Sequence, residues 1–187
     1  MAEALAHGLI QHKLFKPADI IVSDVAPDRR RKLARSLKVA TTADNTEVLR
    51  ESPAVLLAVK PQTIDEVMAE LAVELARPSG KAARMGKLFI SIAAGVTLER
   101  LRHGLGKRAR VIRVMPNAPA MVGHGMAAMV RARGASAGDE AFALRIFRQS
   151  ATPSRSRTKN CWTSSPRCRA AVPLTFTCSP RRWRTRR

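Results

Sequence analysis

The chain has no tyrosine, and phenylalanine and tryptophan together bring its aromatic share to only 4%. Its core must therefore come from aliphatic side chains. There is no run of 18 apolar residues, which excludes an ordinary transmembrane helix. The opening stretch MAEALAHGLIQHKLF carries Glu3 and has no basic segment ahead of an apolar run. It does not read as a secretory signal, and the expected location is the cytoplasm. Cysteine and tryptophan are missing from residues 1–149, and acids are missing from residues 150–187. The three cysteines, Cys161, Cys168 and Cys178, fit no zinc spacing. Their odd number, without a secretory signal, argues against a disulfide framework.

What is present is a globular composition, 45% hydrophobic and 26% charged over 187 residues, which excludes wholesale disorder. The net charge of +20 is unevenly placed. Residues 1–149 hold all 14 acids and 24 of the 34 Lys/Arg, whereas residues 150–187 hold 10 Lys/Arg and no acid. Two compositions meet near residue 149, and each needs its own reading.

Residues 1–149 alternate between two periodicities. Leu5, Leu9, Ile10 and Leu14 repeat at helical spacing over residues 3–15. A β-branched run, Ile20-Ile21-Val22, follows between turn signals and reads as a strand. Pro27 suits the first turn of a helix that runs on to Ser36. Val39 to Thr41 is a short strand and Asn45 to Glu51 a short helix. Ala54 to Val59 is apolar on both faces, as a strand inside a parallel sheet should be. Thr63 is placed to cap a helix over 64–77, with Ile64, Val67, Leu71, Val73 and Leu75 as its apolar surface. Strands are expected at Leu88 to Ile92, Val111 to Met115 and 125–131, and helices at Thr97 to Leu105 and Asp139 to Phe147.

This alternation with short links predicts an α/β fold, a doubly wound Rossmann-like parallel sheet over residues 1–149. Ligands of such sheets sit outside the carboxyl ends of the strands. Those ends are Ser23-Asp24, Ala58-Val59-Lys60-Pro61, Ala93-Ala94-Gly95 and Met115-Pro116-Asn117. Small residues there suit a backbone pressed against a ligand, and equally suit ordinary loop punctuation. A dinucleotide fold opens with a strand and a G-x-G-x-x-G loop. Neither precedes the first helix here, so the domain is expected to lack its first strand and glycine loop.

Six blocks stand in order over about 145 residues: Met1-Ala2-Glu3-Ala4-Leu5, Val22-Ser23-Asp24, Asp44-Asn45, Leu57-Ala58-Val59-Lys60-Pro61-Gln62, Ser91-Ile92-Ala93-Ala94-Gly95-Val96 and Arg113-Val114-Met115-Pro116-Asn117-Ala118-Pro119. In these the chain resembles the pyrroline-5-carboxylate reductases, which reduce 1-pyrroline-5-carboxylate to L-proline with NAD(P)H in proline biosynthesis. The family's glycine loop ends in Met-Ala, where this chain begins. The resemblance implies that Asn45 contacts the adenosine end of NADP(H). It implies that Ala58, Val59, Lys60 and Pro61 line the cofactor groove. Ile92, Ala93 and Ala94 would lie under the ribose and nicotinamide, and Pro116 and Asn117 would border the substrate. Ser23 would lie near the 2′-phosphate. Asp24 beside it would repel that phosphate, so NAD(H) is the alternative cofactor; Arg29 and Arg30 could offset the repulsion. The family often places Arg where Val25 stands. No catalytic residue is assigned. Lys60 reads as a general acid or as a structural or phosphate-side lysine, and His124 as a solvent-exposed loop residue. No metal, membrane or nucleic acid is expected.

The family is homo-oligomeric and follows this body with a helical dimerisation domain carrying Ser-Gly-Ser-Gly-Pro-Ala-Tyr. Residues 150–187 show nothing like it. Read back through the genetic code in a shifted frame, with permitted wobble bases, residues 157–187 do spell that motif and its surroundings. The tail is therefore expected to be a disordered frameshift product in place of the dimerisation domain, and the chain as it stands is expected to be inactive. Two other readings remain open: another NAD(P)-dependent reductase of the same two-domain design, and a nucleic-acid binder acting through the basic tail.

Overall fold

The computed structural model describes residues 2–77, 86–106, 108–116, 125–148, 151–155 and 174–178. The elements are α1 (Ala2–Gln11), β1 (Ile20–Ser23), α2 (Pro27–Leu37), β2 (Ala40–Thr42), α3 (Asn45–Glu51), β3 (Ala54–Ala58), α4 (Ile64–Ala76), β4 (Leu88–Ser91), α5 (Leu98–Leu105), β5 (Arg110–Pro116), β6 (Gly125–Arg131), α6 (Ala137–Arg148), β7 (Ala151–Arg155) and β8 (Leu174–Cys178). They follow the expected alternation closely.

The strands form one sheet in the order β2-β1-β8-β3-β4-β5-β6-β7. Neighbours β1 and β2 are parallel, as are β3, β4 and β5. The sheet is covered on both faces. On one, Leu5 and Leu9 of α1, Leu33 and Leu37 of α2 and Phe147 of α6 pack on Ile20, Val22, Leu56 and Ile90. On the other, Leu49 of α3, Ile64, Met68 and Leu71 of α4 and Leu101 of α5 pack on Val55, Leu57, Phe89 and Val111. This two-sided burial explains why β3 is apolar throughout. Full burial of each such side chain stabilises the fold by roughly 1.5–3 kcal/mol.

Helix ends follow local chemistry. The Asp44 carboxylate accepts the Thr46 N–H at 2.7 Å and starts α3, and the Thr97 hydroxyl accepts the Arg100 N–H at 3.1 Å and starts α5. Gly106, at φ 84°, ends α5 in a conformation that a Cβ would strain.

The expected doubly wound α/β fold with a parallel sheet stands, and two strands join it antiparallel: β6 to β5, and β8 to both β1 and β3. Three expectations need correction. Thr63 stands ahead of α4 but does not cap it, because its hydroxyl donates back to the Lys60 carbonyl at 3.2 Å. Val73 is 65% exposed; Met68 fills the core side of α4 instead. Two segments of the tail expected to be disordered form strands, β7 and β8. For β8 the cause is backbone pairing. In a doubly wound sheet a strand belongs between β1 and β3, and both would otherwise present unpaired edges. The alternating β-prone stretch Leu174-Thr175-Phe176-Thr177-Cys178 takes that place and pairs with both neighbours.

Candidate functional site

The carboxyl ends of β1, β3, β4 and β5 lie along one rim of the sheet, and the residues expected to form a site fall there in two groups.

The first group lies beyond β1. Ser23 is buried at the strand's last position, and its hydroxyl donates to Asn45 Oδ1 at 2.6 Å. Twenty-two residues of chain are thereby closed into one contact. The Asn45 amide donates to Glu70 Oε2 of α4 at 2.8 Å. A carboxylate can only accept, so Glu70 fixes which way round the Asn45 amide lies. Asp24 is folded inward, its side chain 1% exposed. Asp24 Oδ1 accepts the Ala26 N–H at 2.8 Å. Asp24 Oδ2 is buried without a hydrogen-bond partner, although Arg29 Nε stands 3.5 Å away as an ion contact. Arg30 Nη1 donates to the Asp24 carbonyl at 2.7 Å and to the Val25 carbonyl at 3.1 Å. Val25 itself is 76% exposed.

The start of α3 is braced from below. Arg50 lies 3.0 Å from Asp44 Oδ2 and 3.5 Å from the buried Glu74 of α4. Burial pushes the Asp44 carboxyl up. Hydrogen bonds from Thr46 and Glu47 and the charge of Arg50 outweigh it, and the carboxyl lies below its ordinary value.

The second group has almost no polar side chains. Parallel pairing sets Leu57 beside Ser91, so Ala58 and Val59 lie next to Ile92 and Ala93. The Ile92 N–H donates to the Leu57 carbonyl at 3.0 Å, and the Ala93 N–H to the buried Ser91 hydroxyl at 3.3 Å. The backbone then turns at Gly95, φ 73°, leaving Ala94 and Gly95 exposed on the rim. A Cβ on Gly95 would meet nothing within 4 Å. That glycine serves the turn rather than a close contact. Lys60 is exposed at the β3–α4 turn, where its carbonyl accepts the Thr63 N–H at 3.1 Å. Pro116 ends β5, half-buried and paired with Ala127 of β6. Asn117 and His124 lie outside the described residues.

Three groups escaped the sequence reading. Glu70 and Glu74 sit one turn apart on α4 and resemble ordinary surface acids until the fold sets them against α3. Arg113 lies beside Ser91 in the β4–β5 register, its Nε buried without a hydrogen-bond partner and its Nη2 3.3 Å from Met115 Sδ. Burial holds its guanidinium below the ordinary value. The cations of α2 border a surface depression of about 500 Å³ lined by Asp28, Arg31, Lys32, Arg35 and Ser36. Part of that charge is neutralised locally, since Arg31 pairs with Asp28 and Lys32 lies 3.2 Å from Glu3. Among the described residues, no helix is long and apolar enough to cross a membrane.

Residues 1–95 match the family model described as NADP oxidoreductase, coenzyme F420-dependent. The chain is 43% identical over 129 residues to a pyrroline-5-carboxylate reductase of Synechocystis, covering 69% of this chain and 45% of that protein. It is 36% identical over 147 residues to one from Methanosarcina acetivorans, covering 79% and 52%. The solved pyrroline-5-carboxylate reductase of Coxiella burnetii superposes with a TM-score of 0.76 at 28% identity, covering 84% of this chain and 56% of that one. The chain thus spans about half the length of the curated relatives it matches.

Proposed function

We propose, since the chain belongs to the family of NADP oxidoreductases described as coenzyme F420-dependent, that it forms the cofactor-binding half of a reductase converting 1-pyrroline-5-carboxylate to L-proline. The observation that carries this reading is the division of the rim. A hydrogen-bonded polar cluster beyond β1 suits the adenosine ribose, and a ledge of backbone at Ala58, Val59, Ile92 and Ala93, whose side chains are buried, with Ala94 exposed at its edge, suits a flat ring lying on backbone. The named relatives are pyrroline-5-carboxylate reductases, and four of the blocks that carry the sequence resemblance overlap these strand ends.

The residues fit the cofactor. The Ser23–Asn45 pair closes the strand end beside Asp24, whose buried Oδ2 has no hydrogen-bond partner, and the exposed Ala94-Gly95 turn leaves the ledge open. A bound nicotinamide coenzyme supplies the hydride that such a reduction needs. The chain's own residues hold and orient it: Ser23 and Asn45 at the adenosine end, Ala58 to Pro61 and Ile92 to Ala94 along the groove. Pro116 borders the substrate. The basic tail needs no nucleic acid in this reading.

The test is a chimera in which residues 2–148 replace the matching half of the Synechocystis reductase. Oxidation of NADH or NADPH that depends on 1-pyrroline-5-carboxylate is the expected outcome. A folded chimera that oxidises neither would overturn the proposal.

A further inference from the structure

β8 runs against its neighbours. β1 and β3 point their carboxyl ends at the rim, and β8 lies between them antiparallel to both, so its amino end is the one that reaches the rim. Thr175 stands level with Ser23 on one side and Leu57 on the other, and Leu174 goes one residue further, beside Ala58. The polar half of the rim begins at Ser23 and the ledge at Ala58. The first residues of β8 therefore lie on the line that joins the two halves. Strands in a sheet are about 4.8 Å apart, so the gap from β1 to β3 is about 10 Å, and one strand fills it.

A dinucleotide that reaches from Ser23 and Asn45 to Ala58 and Ile92 has to carry its phosphates across this gap. In a doubly wound sheet the strand in this place runs parallel to its neighbours, and the loop leaving it turns backbone N–H groups towards the phosphates. β8 begins at the rim instead of ending there, so no loop leaves the sheet at that point. We propose that β8 is an autoinhibitory strand, docked between β1 and β3 and competing with the nicotinamide cofactor for the middle of the rim. The inference rests on the cofactor reading given above and adds a second state to it. Withdrawal of β8 opens the gap but leaves two strand edges unpaired, and that cost holds the strand in. Each occupant weakens the other by the same factor.

Cys178 supplies the means of testing this. It lies at the end of β8 remote from the rim, opposite Ala54 in the register. Directly opposed residues of an antiparallel pair are about 4.5–5.5 Å apart at Cα, within disulfide reach. The full chain carrying Ala54→Cys, with Cys161→Ser and Cys168→Ser, has a strand that oxidation locks and dithiothreitol releases. NADH and NADPH are each titrated by nicotinamide fluorescence in both redox states, so no catalysis is required. The reduced chain should bind its preferred cofactor at least about tenfold more tightly than the oxidised chain, and saturating cofactor should slow re-formation of the disulfide. The locked chain should also melt higher, which separates weaker binding from loss of fold. Equal affinity in the two states, tighter binding by the locked chain, or a disulfide that does not form would overturn the competing strand and leave the cofactor reading standing. Saturable binding in neither state would overturn both.

Discussion

The two halves of the rim are built by opposite means. Beyond β1, side chains from three elements meet: Ser23 from the strand, Asn45 from α3 and Glu70 from α4, joined by bonds of 2.6 and 2.8 Å. Beyond β4 there is backbone, alanine and one glycine turn, and beyond β3 a turn that carries the exposed Lys60, both resting directly on buried strands. The first half can discriminate by donor and acceptor, since one misplaced proton leaves a buried polar group unpaired. The second, Lys60 aside, discriminates by shape. Chemical selectivity should therefore respond to substitutions near β1, and occupancy and stability to substitutions near β4.

The largest way to break this comparison is from beneath the bare half. Phe89 is fully buried at the centre of β4, between Val55 and Val111 in the register. Phe89→Ala should destabilise the domain by about 3–5 kcal/mol. Chemical denaturation of the two chains measures it. A loss below about 1 kcal/mol would mean that the strands under this half are not its foundation.

A pair of adjacent substitutions sharpens the same boundary. Ala93 is 2% exposed and belongs to the core, whereas Ala94 faces outward. Ala93→Leu should overpack the interior and cost about 1–3 kcal/mol of stability. Ala94→Leu should leave the melting temperature nearly unchanged but weaken nicotinamide-cofactor binding by at least about tenfold, or ~1.4 kcal/mol. If the two variants lose stability alike, Ala94 is core and the ledge is misplaced.

Much of the architecture was legible because it depends on local periodicity. Ile20 to Val22 and Ala54 to Ala58 could be read as strands from their own residues, and Pro27 and Thr97 marked helix starts without reference to anything distant. Val73 was misread because helical spacing does not reveal which side of a broad apolar arc is covered. Thr63 misled for a related reason: a threonine ahead of a helix can spend its hydroxyl on a preceding carbonyl instead of the helix N–H. β8 was illegible because its cause is nonlocal, namely the two strand edges it joins, 116–124 residues back for β3 and 152–158 residues back for β1. Within the site, the resemblance singled out Ser23 and Asn45 separately. Their mutual bond, and the hold of Glu70 on Asn45, arise only when α3 and α4 pack side by side. An exposed glutamate among several on one helix gives no signal of its own.

The smallest effect tests how firmly the polar half is anchored. Asp44 caps α3 through the Thr46 N–H and is also gripped by Arg50. Asp44→Ala should cost about 1 kcal/mol at neutral pH, the usual worth of such a cap. The pH dependence follows from the lowered carboxyl pKa. Unfolded, this Asp titrates near ~3.9; folded, it titrates lower, so between the two values the unfolded chain binds more protons. The ionised cap's contribution is thus fully present above the unfolded value and is lost as pH falls through the folded one. Melting curves of the original chain and of Asp44→Ala should therefore lie apart at pH 7 and converge as pH falls below about 4. A gap that stays constant down to the lowest pH at which the chain folds would mean that the Asp44 charge does nothing for α3. Asn45 would then be held by Ser23 and Glu70 alone.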